Sequence, residues 1–204
     1  MKGLYLITND DEFSILYNKL EQALSTGKIA LLQYRRKQIQ LSQQLEEIPR
    51  IAELCANYKV PLIINDNMQL AQQFNVGVHL GQDDGSIQQA RQLLGDSAII
   101  GRTCMSDLDL AKQAVADGAD YVAFGAIYSS TSKQTQAKNI GVNIIQRCKQ
   151  QFPNISICAI GGLTVENSSV VINAGADMCA VISDVLALDV DDVAKRVEAW
   201  AELF

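Results

Sequence analysis

Apolar residues fall along the chain in eight short runs: Leu4–Thr8, Ile29–Tyr34, Leu62–Asp66, Val76–Gly81, Ala98–Thr103, Tyr121–Tyr128, Ile155–Gly162 and Met178–Val185. The runs are nearly continuous in apolar character rather than alternating, the pattern of parallel strands covered on both faces. Between them apolar residues recur at helical spacing. Over Ser42–Tyr58, Leu45, Ile48, Ile51, Ala52, Leu54 and Cys55 form one stripe. The stretch SDLDLAKQAVAD, Ser106–Asp117, predicts a helix capped by Ser106, with Asp109 at the third helical position and a stop before Gly118. A last helix is predicted over Asp191–Leu203, its acidic start suited to the positive end of the helix dipole. Eight strand–helix units in 204 residues predict an α/β fold, a compact (β/α)8 TIM barrel forming one domain over 1–204. An open, doubly wound sheet is the alternative for the same pattern.

Composition narrows the function. An apolar content of 48% with 20% charged residues is that of an ordinary globular chain. A chain of this length buries roughly 70% of its unfolded surface. The net charge of −6 argues against a general nucleic-acid surface. It leaves room for a small anionic ligand, because a local cation cluster overrides a weak overall charge. The opening MKGLYLITNDDEF has too short an apolar run for a signal peptide or a membrane span, so a cytoplasmic location without a membrane partner is expected. Five cysteines, an odd number with no CxxC pair, suggest neither a disulfide framework nor a zinc site. Cys158 and Cys179 lie in apolar runs and are expected as packed thiols.

In a barrel the chemistry sits at the C-terminal ends of the strands. The second run ends in QYRRK, where alternation points Gln33, Arg35 and Lys37 one way and Tyr34 and Arg36 the other. Such cations could hold a diphosphate, or simply form a solvated turn. The third run ends in Asn65-Asp66 and the fourth in Gly81-Gln82-Asp83-Asp84. Strands about 4.8 Å apart could bring Asp66 and Asp84 onto one Mg2+, with Asp83 in reserve; turn and cap roles are the plain alternative. His79, the lone histidine, is expected inside the barrel as a hydrogen-bonded core residue. Thr103 offers a hydroxyl at the fifth strand end, and GAIYSSTSK follows the sixth, with Ser129, Ser130, Thr131, Ser132 and Lys133 in a row. Gly161 and Gly162 after the seventh strand, with Ile182 and Ser183 in the eighth, suit the backbone phosphate site that many barrels build there. Two separate anion sites on one rim would fit two phosphorylated substrates, or one substrate with phosphate at each end.

Taken jointly and in order, these motifs resemble the thiamine-phosphate synthase (thiamine-phosphate diphosphorylase) family over nearly the whole chain, from LYLIT to VISDVL. QYRRK is similar to the family's Q-x-R-x-K, IIND to its N-D pair, VHLGQDD to H-x-G-Q-x-D, and GAIYSSTSK to G-P-x-F-x-T-x-T-K. AIGGL and AVIS resemble its thiazole-phosphate motifs. The resemblance implies a transferase joining hydroxymethylpyrimidine diphosphate to hydroxyethylthiazole phosphate with release of diphosphate. It implies Mg2+ on Asp66 and Asp84. Pyrimidine diphosphate contacts would come from Gln33, Arg35, Lys37, Asn65, Thr103 and Lys133. Thiazole phosphate contacts would come from Ser130, Ser132, Gly162, Ile182 and Ser183. Tyr34, Arg36 and Thr131, within the same motifs, are expected to line the substrate site as well. Arg35, Lys37 and Lys133 would stabilise the leaving diphosphate. The partners implied are these two small molecules, and a homo-oligomer is compatible with them.

The chain departs from the family pattern in places. Ser130 and Ser132 stand for threonines, Thr103 for a serine and Ala126 for a proline, while Arg36 occupies a position where an acidic residue is common. The hydroxyl exchanges keep a donor, so altered affinity is expected rather than lost activity. A thiazole tautomerase-like relative, another phosphate-handling barrel and a non-catalytic binder of thiamine precursors are the competing readings. A tautomerase would be expected to need a rim histidine, and passive binding of the thiazole phosphate would need neither Asp66, Asp84 nor Lys133.

Overall fold

The computed structural model describes residues 1–128 and 140–204. Eight parallel strands close into a barrel in sequence order: β1 (Gly3–Ile7), β2 (Ile29–Tyr34), β3 (Leu62–Asn65), β4 (Gly77–Leu80), β5 (Ile100–Met105), β6 (Tyr121–Phe124), β7 (Ser156–Ile160) and β8 (Met178–Val181), with β1 pairing β8. The helices between them are α1 (Phe13–Ser25), α2 (Leu41–Tyr58), α3 (Met68–Phe74), α4 (Ile87–Leu94), α5 (Leu108–Ala116), α6 (Asn143–Gln151), α7 (Ser169–Asn173), α8 (Ser183–Leu186) and α9 (Val190–Ala201). The open-sheet alternative is excluded by the β1–β8 pairing, Gly3 to Met178 through Leu6 to Val181.

Two apolar cores explain the continuous strand runs. Leu4, Leu6, Leu32, Ile64, Val78, Val122 and Ile157 face outward into the layer between sheet and helices, with Trp200 of α9 buried in the same layer. Tyr5, Ile7, Leu31, Ile63, Tyr121, Cys158, Met178 and Ala180 face inward and fill the barrel. Alternation along each strand therefore sorts residues between two apolar environments, so neither face needs a polar row.

Several boundaries differ from the expectation; the sixth strand, for one, ends at Phe124 and not at Tyr128. The eighth strand stops at Val181, and Ser183–Leu186 turn into a short helix. The helix foreseen at Ser106 is capped instead by Asp107, whose carboxylate accepts from the N–H groups of Asp109 and Leu110. An Asp one residue on outcompetes Ser because its charged oxygen also meets the positive end of the helix. All five cysteines are buried and free. Among the described residues no helix is long and apolar enough to cross a membrane.

Candidate active site

The C-terminal ends of β2, β3 and β4 carry an ion cluster. Lys37 Nζ lies 2.8 Å from Asp66 Oδ2, bridging the ends of β2 and β3. Asp66 adopts a positive φ of 65° and its N–H donates to the His79 carbonyl, which turns the carboxylate off the end of β3 toward β4. Asp84 Oδ2 accepts from the Gly81 N–H at 2.9 Å. A Cβ at Gly81 would sit 2.7 Å from that oxygen, so this close approach needs glycine. Burial works against ionisation of Asp66, yet Lys37, with Asp84 and Asn65, holds its carboxyl below the usual range. Burial, then the hydrogen bond and charge of Asp66, raise Asp84. The two carboxyls thus face each other beside one ammonium, and Asp83 is exposed outside the cluster.

A cation fits here. Two hard oxygen donors converge, and an ammonium already stands against one of them. Among the described residues no third His, Cys, Asp or Glu completes a metal cluster. Mg2+ typically takes one or two protein carboxylates, with ligand phosphate and water filling the rest.

Other expected residues divide by strand face. Gln33 turns inward, its Nε2 donating to the Tyr5 hydroxyl at 2.7 Å. The Arg35 N–H donates to Thr8 Oγ1 at 2.7 Å, which ties the end of β2 to β1. Thr103 Oγ1 lies 2.8 Å from His79 Nε2. Tyr34 and Arg36 do not join the mouth. The Tyr34 hydroxyl donates to Glu47 Oε2 at 2.7 Å, and Arg36 Nε lies 3.3 Å from the same oxygen, all three side chains being buried against α2. Strand alternation turns them into the outer layer, where Glu47 takes the Tyr34 proton in a hydrogen bond and stands as the counter-charge of Arg36. Ser130, Thr131, Ser132 and Lys133 lie outside the described residues.

The second half of the mouth is built from the ends of β7 and β8. Gly161 and Gly162 have φ of 104° and 62°, and a Cβ on Gly161 would meet Ala126 at 2.6 Å. Asn167 clamps this turn, donating from Nδ2 to the Gly162 carbonyl and accepting from the Thr164 N–H, each at 2.9 Å. Ile182 precedes α8 and Ser183 opens it, exposed. The first N–H groups of a helix lack intrahelical partners, so Gly162, Ile182 and Ser183 offer the backbone donors expected of a phosphate nest.

Several supporting residues were missed from the sequence. Arg102 donates to the Gly85 carbonyl at 2.8 Å and to that of Gln82 at 3.4 Å, holding the loop that carries Asp84. Gln82 Nε2 donates to the Thr103 carbonyl. Arg196 of α9 spans Asp184, beside Ser183, and Glu166, in the turn after Gly162, with four hydrogen bonds of 2.6–2.9 Å. Trp200 Nε1 donates to Asp184 as well, at 2.7 Å. The Arg196 hydrogen bonds hold Glu166 down to about 2.

The family model described as thiamine monophosphate synthase matches residues 4–185. The chain belongs to this family. Thiamine phosphate pyrophosphorylase from Pyrococcus furiosus superposes with a TM-score of 0.85 at 28% identity, covering 98% of this chain and 94% of that one. Thiamine phosphate pyrophosphorylase from Bacteroides thetaiotaomicron gives 0.67 at 17%, with 98% and 96% covered. The (S)-3-O-geranylgeranylglyceryl phosphate synthase of Thermoplasma acidophilum, solved with sn-glycerol-1-phosphate, gives 0.70 at 15%, with 99% and 92% covered. The last two show the barrel fold. With the family model and the first structure, the chain is an enzyme of thiamine phosphate synthesis.

Proposed function

We propose that the enzyme condenses hydroxymethylpyrimidine diphosphate with hydroxyethylthiazole phosphate, giving thiamine phosphate and diphosphate. The observation that carries this is the Lys37–Asp66–Asp84 cluster on the same rim as the Gly162–Ser183 backbone nest. One corner offers cations and carboxylates for a diphosphate with its metal; the other offers neutral donors for a monoester.

Diphosphate leaves from a pyrimidine methylene carbon, and the ring amino group shares the positive charge that develops. The thiazole nitrogen then attacks that carbon. Asp66 and Asp84 would hold Mg2+, which when bound would supply charge to stabilise a departing diphosphate. Arg35, Lys37 and Lys133 add fixed cations to the same end, and Gln33, Asn65 and Thr103 orient the pyrimidine diphosphate. Ser130, Thr131 and Ser132 act with the nest on the thiazole phosphate. No general base is required, because the attacking ring nitrogen brings no proton to remove. The protein's inventory suits this. His79 has both ring nitrogens engaged, by Tyr121 and Thr103. Burial pushes the Cys104 thiol up to about 12, far from a reactive thiolate.

A tautomerase would need a histidine at the rim, and His79 lies within the barrel. The test is product identity. Purified protein with both precursors and Mg2+ is expected to form thiamine phosphate, read by mass and by oxidation to the fluorescent thiochrome. Binding of both precursors without product would reject the transferase.

A further inference from the structure

A row of five polar side chains crosses the inside of the barrel below the mouth, and the proposed reaction uses only its two ends. Gln33 Nε2 donates to the Tyr5 hydroxyl at 2.7 Å. The Tyr5 and Tyr121 hydroxyls are 2.8 Å apart. Tyr121 lies 2.9 Å from His79 Nδ1, and His79 Nε2 lies 2.8 Å from Thr103 Oγ1. The residues come from β2, β1, β6, β4 and β5, so the barrel itself sets the spacing. Packing fixes the rings: Tyr121 stacks on His79 at 5.5 Å, and Tyr5 meets Tyr121 edge-on at 5.7 Å. Gly101 leaves the room for this, since a Cβ there would fall 2.0 Å from the Tyr121 ring.

Such a row has a direction, because each hydroxyl carries one proton and donates once. Burial raises both phenols far above their ordinary range, so both keep that proton. The Tyr5 oxygen accepts from Gln33, and its other partner among the described residues is Tyr121. Tyr5 therefore donates to Tyr121. Tyr121 in turn donates to His79 Nδ1, which must be the bare nitrogen. The imidazole proton then sits on Nε2 and is given to Thr103 Oγ1. With the Gln33 amide in this orientation, the opposite direction would leave the Tyr5 O–H without an acceptor inside an apolar barrel, the costly case for a buried donor. A doubly protonated ring fails in the same way, since its Nδ1–H would turn Tyr121 back onto Tyr5.

We infer that this relay fixes His79 as the neutral Nε2–H tautomer and so commits the Thr103 hydroxyl to donate a hydrogen bond into the mouth, toward a lone-pair acceptor on the pyrimidine diphosphate. Tyr5, Tyr121 and His79 are positioning residues, and Thr103 is the group that touches the ligand. The consequence is selectivity: an acceptor atom at that point is favoured and a group presenting N–H there is rejected. The ligand half rests on the function proposed above; the proton half stands without it.

His79 is the only histidine of the chain, so 15N-labelled protein shows one imidazole. With no ligand added at neutral pH, two-dimensional 1H–15N spectra are expected to show the proton on Nε2 and Nδ1 bare. The Nδ1–H tautomer or the imidazolium would overturn the relay, whatever the enzyme does. The ligand half is read by titrating wild type, Thr103→Val and Thr103→Ser with Mg2+ and inorganic diphosphate, and separately with hydroxymethylpyrimidine. Thr103→Val is expected to weaken one of the two, by roughly 10- to 100-fold for a charged acceptor and several-fold for a neutral one, and Thr103→Ser to restore it. Loss for diphosphate alone puts the acceptor on a diphosphate oxygen, and loss for the pyrimidine alone puts it on a ring nitrogen. Unchanged binding of both by folded Thr103→Val would overturn the donor role. If wild type binds neither, the synthase assignment fails and the ligand half falls with it, while the spectrum still decides the relay.

Discussion

Replacing Arg196 by Gln tests how the thiazole phosphate half of the mouth is held. Arg196 reaches from α9 to Asp184 and Glu166, the residues that follow Ser183 and Gly162 most closely among its partners. The Asp184 side chain is 7% exposed and that of Arg196 23%. Removing one partner of a fully buried pair costs about 3–5 kcal/mol. Here Trp200 still donates to Asp184 at 2.7 Å, and water can reach the vacated end. The expected cost is therefore about 2–3 kcal/mol, with the exposed Glu166 arm adding little. For a chain of this size that is a fall in melting temperature of roughly 4–12 °C. Both loops of the nest also lose their common anchor, so KM for the thiazole phosphate is expected to rise roughly 3- to 10-fold, a loss near 1 kcal/mol, with KM for the pyrimidine diphosphate unchanged. Arg196→Lys keeps a cation but not the fork and should fall between. Calorimetry and initial rates at varied concentrations of each substrate provide the readout. An unchanged melting temperature, or a rise in the pyrimidine KM instead, would refute this account.

Three further outcomes are expected. Asp84→Asn should lower kcat by roughly 100-fold or more, as for a lost transition-state electrostatic contact, and shift the Mg2+ dependence; near-normal turnover would remove Asp84 from the metal site. The raised Asp84 carboxyl must lose its proton before it can bind a hard cation, while the lowered Asp66 is already ionised. Apparent Mg2+ affinity should therefore weaken with falling pH already above the ordinary aspartate range of about 4, with proton release seen by calorimetry in two buffers, and a flat profile would contradict the shared site. Gly101→Ala, whose methyl would collide with Tyr121, should destabilise by about 1–3 kcal/mol in urea unfolding; a neutral effect would mean that the Tyr121 ring is not held in place.

The barrel was legible because its strands are near-continuous apolar runs separated by stretches of helical period, and the ends of β2, β3 and β4 carry their charged residues in short local motifs. The end of β8 was not legible. Val181–Val185 is apolar enough for a strand or a helix, and only the turn at Ile182 decides. Alternation placed Tyr34 and Arg36 on the opposite face from Gln33, Arg35 and Lys37; Glu47, which engages both, lies on α2 and outside that motif, so this contact had no local signal. The relay and the Arg196 bridge left no local signal. Tyr5 and Tyr121 are 116 residues apart and look like ordinary core aromatics, and Arg196 lies 30 residues from Glu166, on a helix whose sequence signal was its acidic start. Such contacts are products of closure and appear only once the strands are in register.

The central claim is that one rim joins two phosphorylated precursors with the help of Mg2+. Its most direct test is diphosphate release by the purified enzyme, with each precursor and the metal withheld in turn. The account predicts release, one diphosphate per thiamine phosphate formed, only when all three are present. Release from the pyrimidine diphosphate alone at the same rate, or none under any combination, would contradict it.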